Sequence, residues 1–143
     1  MKILSLSNQH HDQVLTIWES SVRATHHFLS EEDILFFKPL IDKEYLPQLS
    51  LVGITGKAGK LAGFLGASSH TIQMLFVEPA SFGQGMGRSL VIHAIQNMGV
   101  SKVDVNEDNL GAYRFYTKMG FTLSGRSPCD LQGKPFPILH LEL

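Results

Sequence analysis

From Lys2 the chain alternates apolar and polar positions, and Ile3, Leu4 and Leu6 in KILSLS predict a short first strand. Asn8 is placed to cap the helix that follows, in which Leu15, Trp18 and Val22 recur at helical spacing. The next stretch, SEEDILFFKPLIDKEY, starts with Ser30 as an N-cap and acidic residues in its first turn. Pro39 interrupts its apolar cluster, so this second helix is expected to be short or kinked. From Leu51 the period changes. LVGIT, LAGFLGASS and HTIQMLFVEP read as three consecutive strands, the first two joined as a hairpin by GKAGK. The third is expected to be central, because its run from Met74 to Val77 is wholly apolar.

After three glycines, Leu90, Val91, Ala94, Ile95 and Met98 make one helical stripe that Gly99 can end. KVDVN is a further strand. Ala112, Phe115, Tyr116 and Met119 then give a helix an apolar face that stops at Gly120, and FTLSGRS and PILHLEL close the chain as a strand pair around the turn-rich PCDLQGKP. The predicted order is β-α-α-β-β-β-α-β-α-β-β, an α/β fold with one mixed sheet and helices packed on it. No linker, repeat or low-complexity segment interrupts residues 1–143, so a single domain is expected.

Charge narrows the partners. A net charge of −1, with no cluster of Lys and Arg, argues against a broad footprint on nucleic acid or anionic lipid. No apolar run is long enough to span a membrane. Cys129 is the only cysteine, which forbids an intramolecular disulfide, and the start of the chain turns polar too early for a secretory signal. A reducing cytoplasm is the expected location, with a monomer or homodimer both open.

The candidate chemistry centres on LFVEPASFGQGMGRSL. A strand that feeds a glycine-rich turn and then a helix leaves the first N–H groups of that helix free, backed by the positive end of its dipole. Glycines allow turn angles closed to other residues and let a phosphate approach the amides. Gly83, Gly85 and Gly87 fit neither a P-loop, which needs G-x-x-x-x-G-K-[ST], nor a dinucleotide fingerprint, which needs G-x-G-x-x-G after the first strand.

The arrangement resembles the acetyl-coenzyme A site of the GNAT superfamily of N-acetyltransferases, in which V-x-P is followed by [RQ]-x-x-G-x-[GA] at a helix start. Here these positions are Val77-Glu78-Pro79 and Phe82-Gly83-Gln84-Gly85-Met86-Gly87, with Phe82 where the family usually has Arg or Gln. NLGAYRFYTKMGF, Asn109 to Phe121, is similar to the family's N-x-x-A-x-x-[FL]-Y-x-K-x-G-F helix. ATHHFLS and GRSPCDLQGKPFP resemble segments of small single-domain bacterial members. The resemblance implies acetyl-CoA as cosubstrate, its diphosphate on the amides of Gly83, Gln84, Gly85, Met86, Gly87 and Arg88, and its arm and thioester on the backbone of Phe76 and Val77. It also implies coenzyme contact by Asn109, which sits equally where a helix N-cap belongs.

The implied reaction is direct transfer of acetyl from acetyl-CoA to a primary amine of a small molecule or protein. It needs a neutral amine, a polarised carbonyl and a proton for the departing thiolate. By resemblance Tyr116 is the acid; its bland alternative is a core tyrosine beside Phe115 and Met119. His70 is the leading candidate base, against a structural or exposed role, with Glu78, His140 or a chain of waters behind it. Arg23, His26, His27 and Phe28 are candidate acceptor contacts. A metal on His26 and His27 has no Cys or H-E-x-x-H partner, so none is expected. Cys129 has no evident base beside it for a covalent route. Two rivals stay open: a non-catalytic acyl-CoA-binding module, and a toxin acting on charged tRNA, which would want a basic groove.

Overall fold

In the computed structural model, which describes residues Met1–Leu143, the apolar runs after Leu49 fold back on one another as antiparallel strands. The sheet holds β1 (Lys2–Ser5), β2 (Ser50–Thr55), β3 (Leu61–Ser68), β4 (Thr71–Val77), β5 (Lys102–Asn106), β6 (Thr122–Ser127) and β7 (Ile138–Glu142). Its seven strands run in the order β1-β2-β3-β4-β5-β7-β6, and only the β4–β5 pair is parallel. The expected central strand, β4, lies in the middle.

Four helices cover the sheet: α1 (His11–Thr25), α2 (Glu31–Leu40), α3 (Met86–Asn97) and α4 (Leu110–Lys118). Strand alternation sends side chains to opposite faces, and each face has its own core. On one face Leu90 and Val91 of α3, Tyr116 of α4 and Phe121 pack on Val103, Val105 and Leu141. On the other Val14, Trp18 and Val22 of α1 and Ile34 of α2 pack on Leu51, Leu61 and Phe64.

One local reading changes. The first helix is not capped by Asn8, because the Ser7 backbone N–H donates to His10 Nδ1 at 3.0 Å and a 3₁₀ turn, Asn8–His10, comes before α1. Pro39 lies one residue before the end of α2, which at ten residues is short, as expected. Proline removes only the N–H aimed at the Leu35 carbonyl, on a residue that faces solvent, and the Ile41 N–H then reaches both Phe37 and Lys38 carbonyls as the chain widens into a π turn over Ile41–Tyr45. Ser30 caps α2 as expected, exchanging hydrogen bonds with Asp33 at 3.1 and 3.0 Å.

β4 leaves its parallel neighbour early. Only Thr71↔Lys102 and Ile72↔Val103 pair, whereas β5 stays paired with β7 through Asn106↔Ile138. A bulge makes the exit: Gly66 and Ala67 of β3 face Met74 and Ile72, so Gln73 is an extra residue that bends β4 away.

Candidate active site

The turn before α3 is built as its glycines suggested. Gly83 and Gly85 have φ of 77° and 80°, the left-handed region, and a Cβ on either would meet only open space. The N–H groups from Gly83 through Arg88 donate to no protein acceptor; the first helical bond near them is Ser89 N–H to the Gly85 carbonyl. They form an open cradle of donors at the positive end of α3, suited to an anion. Arg88 is exposed without a carboxylate partner, Met86 contributes its amide while its side chain is buried, and Phe82 is half-exposed beside the turn.

The splay supplies a second row of free donors. The Glu78 N–H donates to the Ala62 carbonyl, so by the two-residue alternation of antiparallel strands the N–H of Phe76 also faces β3. The N–H groups of Leu75 and Val77 point the other way, to where β5 has departed. This corrects the expectation for Phe76, whose backbone is occupied by the sheet; the N–H groups left free here are those of Leu75 and Val77.

A cavity of about 730 Å³ passes through this gap from one face of the sheet to the other. Leu75, Ala112 and Tyr116 line it on the α3–α4 side; Phe28, Phe37, Phe76 and Phe136 wall it on the α1–α2 side. Tyr116 is 5% exposed, wedged edge-on against Phe115 and Phe121 at 5.0 and 5.6 Å between ring centres. Its hydroxyl has no protein hydrogen-bond partner and is not fully sealed off, and Tyr116 is among the residues that line the cavity. Burial pushes its pKa up, which holds the proton on the oxygen at neutral pH.

Asn109 caps α4, its Oδ1 accepting the Ala112 N–H at 3.1 Å, and its Nδ2 donates to His26 Nε2 at 3.2 Å. The Thr25 hydroxyl donates to the Ser21 carbonyl, so His26 Nδ1–H must donate to Thr25 Oγ1, at 2.8 Å. This chain of bonds ties the end of α1 to the start of α4 across the cavity. The His26 ring packs between Phe28 and Phe76, and that burial, with His27 alongside, pulls its pKa down to about 4.

The structure does not bring the remaining candidates to the cavity. Arg23 is exposed and joins Glu19 and Glu31, fastening α1 to α2, and His27 faces solvent. His70 stands at the wrong end of β4. With Ser69 it forms the tight β3–β4 turn, φ 50° and 66°, and its Nδ1 meets the Gly99 carbonyl at 2.9 Å, beside the strands' closed end rather than the splay. Glu78 binds the Ser81 hydroxyl at 2.9 Å. The cavity instead presents Asp104, Ser127 and His140, of which sequence reading had raised only His140. Alternation in KVDVN and PILHLEL marks Asp104 and His140 as facing away from the valine and leucine core, but their pairing depends on the β5–β7 register.

Residues 50–123 match the family model of the acetyltransferase (GNAT) domain. The chain is 36% identical over 142 residues to the peptidyl-lysine N-acetyltransferase YjaB of Escherichia coli K12, covering 97% of this chain and 96% of that one. The chain belongs to the GNAT superfamily. YjaB of Salmonella typhimurium is 37% identical over 130 residues, covering 91% of this chain and 89% of its own. The solution structure of apo YjaB from E. coli superposes with a TM-score of 0.88 at 36% identity over 99% of this chain and 95% of that one. The coenzyme A complex of the PaiA N-acetyltransferase of Thermoplasma acidophilum shares the fold, with a TM-score of 0.74 at 19% identity over the full length of both chains.

This GNAT protein is therefore an acetyl-CoA-dependent N-acetyltransferase, with acetyl-CoA as cosubstrate. The reading as a non-catalytic module is set aside by relatives that are named as enzymes. The cradle at Gly83–Arg88 and the free N–H groups of Leu75 and Val77 fit a cosubstrate whose diphosphate needs donors at one point and whose extended amide arm needs a strand edge further on. No helix is long and apolar enough to cross a membrane.

Proposed function

We propose that this GNAT enzyme acetylates the side-chain amine of lysine in a peptide or protein, by direct transfer while acetyl-CoA and the acceptor are bound together. The observation that carries this is the charge of the cavity. Among its lining residues are the carboxylates of Asp104 and Asp130 and no Lys or Arg, while aromatic and aliphatic side chains form most of the wall. An ammonium on a four-carbon stem suits such a space, with the stem along Phe28 and Phe136 and the charge toward the acids. The YjaB relatives are named for the same acceptor.

In this reading the amides of Gly83, Gln84, Gly85, Met86, Gly87 and Arg88 hold the diphosphate, and an N–H of Leu75 or Val77 stabilises the thioester oxygen as it gains charge. Tyr116 donates to the leaving sulfur, and Asn109 keeps His26 and α4 in place around the arm. Cys129 borders the cavity without a hydrogen-bonded base, so nothing activates it as an acetyl carrier. Incubating the protein with acetyl-CoA and three acceptors tests this: a peptide whose only amine is lysine, one whose only amine is its N-terminus, and free small amines. A mass gain of one acetyl on the lysine peptide, well ahead of the others, is expected. Turnover of the other amines without the lysine peptide would overturn the acceptor while leaving the enzyme class intact.

A further inference from the structure

Asp104 on β5 and His140 on β7 are directly opposite in the sheet register, and His140 Nδ1 lies 2.6 Å from Asp104 Oδ1. The other ring nitrogen, Nε2, lies 2.7 Å from Ser127 Oγ on β6. A carboxylate only accepts, so Nδ1 carries the ring proton and Nε2 is left to accept from the serine hydroxyl. The His140 and Asp104 side chains are 38% and 34% exposed, within reach of a bound molecule. They project from the sheet half that α1 and α2 leave uncovered, into the cavity that Tyr116 enters from the opposite face.

We propose that Ser127, His140 and Asp104 are a proton relay that deprotonates the acceptor ammonium. The proposal rests on the lysine reading above and adds what that reading lacks, a base. The other cavity histidine, His26, has both nitrogens committed to Thr25 and Asn109. In the relay the ammonium gives one proton to Ser127 Oγ as the serine's own proton passes to His140 Nε2. This leaves a neutral amine, a neutral serine, and an imidazolium beside the Asp104 carboxylate. The amine then forms its bond to the thioester carbon and the carbon–sulfur bond breaks. Tyr116 supplies the proton for the thiolate, a second proton lost from nitrogen restores Tyr116, and the His140 imidazolium releases its proton to solvent, which resets the relay. Ser127 touches the substrate, His140 receives the proton through it, and Asp104 is a positioning residue that fixes the tautomer. Acid and base thus stand on opposite faces of the sheet, with the gap between β4 and β5 separating them.

The test compares two peptide acceptors: one with lysine, and one with a weakly basic aminooxy group in its place, which is already neutral at the assay pH. Ser127→Ala, His140→Gln and Asp104→Asn are expected to slow the lysine peptide about 100-fold or more, the range of general-base catalysis. On the aminooxy peptide they should stay within about threefold of the parent, and coenzyme affinity should not change. Equal losses on both peptides would make the cluster structural, and no loss on either would remove it from the reaction. Acetyl found on Ser127 itself would make it a nucleophile and likewise overturn the relay. Should the parent acetylate neither peptide, the acceptor reading fails, and the histidine tautomer still decides the relay. Long-range nitrogen–proton NMR must show His140 bearing its proton on Nδ1 and not on Nε2.

Discussion

In the proposed reaction the two faces of this sheet solve two binding problems with different parts of the chain. The α3–α4 face offers backbone, the free amides at Gly83–Arg88 and, at the gap, those of Leu75 and Val77, with Tyr116 as the proposed acid. The α1–α2 face offers side chains scattered over the chain, with His26 from the end of α1 and Asp104, Ser127 and His140 from three strands. Backbone donors serve any chain that makes the same turn, which suits a constant cosubstrate. Side chains brought together by strand register can differ from one family member to the next, which suits a variable acceptor.

The largest effect that sharpens this contrast is expected at Tyr116. Tyr116→Phe should lower kcat about 100-fold, as loss of a general acid does, with coenzyme affinity and thermal stability unchanged because the hydroxyl bonds to no protein group. A loss of stability instead would show the residue to be packing alone.

His26 makes the acceptor face sensitive to acid. Its pKa is about 4 in the folded protein against 6.5 unfolded, so the unfolded chain binds the proton more readily. Stability is full above pH 6.5, falls as pH drops toward 4, and levels off below that. The integrated loss is at most about 3 kcal/mol, reduced by solvent at the half-buried ring. Denaturant titrations across this range should show the fall, and His26→Phe should flatten it.

A smaller change separates the glycines. Gly85→Val forces a β-branched residue into φ of 80°, a strain of about 1–2 kcal/mol, and should weaken coenzyme binding roughly tenfold by calorimetry. Gly87→Ala places a Cβ at an ordinary 3.6 Å from Phe115 and should bind nearly as the parent does. The smallest effect belongs to His70. His70→Asn keeps a residue that tolerates the left-handed turn, and turnover should stay within about twofold.

The open turn and helix of the proposed donor face were legible because they are local. Val77-Glu78-Pro79, the spaced glycines and the run from Asn109 to Phe121 are each contiguous, so the glycine spacing and the resemblance to family motifs could both be read along the chain. The order of elements along the chain, the central β4 and the Ser30 and Gly120 helix ends were readable for the same reason. His70 misled because nothing in HTIQMLFVEP says which end of the strand will splay, and because the turn at Ser69-His70 uses positive φ without glycine or asparagine. Phe76 misled by a single step of alternation, set by the bulge at Gln73. Asp104, Ser127 and His140 meet only once β7 has inserted between β5 and β6, a long-range event that no local pattern announces.

The central claim is that the free amides at the mouth of α3 and along the open end of β4 are where acetyl-CoA lies. Titrating the isotopically labelled protein with acetyl-CoA while following backbone amide resonances addresses it directly. The largest shifts should fall on Gly83 through Arg88 and on Leu75 and Val77, with Ser69, His70 and Thr71 at the closed end of β4 unmoved. Shifts clustered at that closed end, or saturating binding that leaves Gly83–Arg88 unperturbed, would contradict the account.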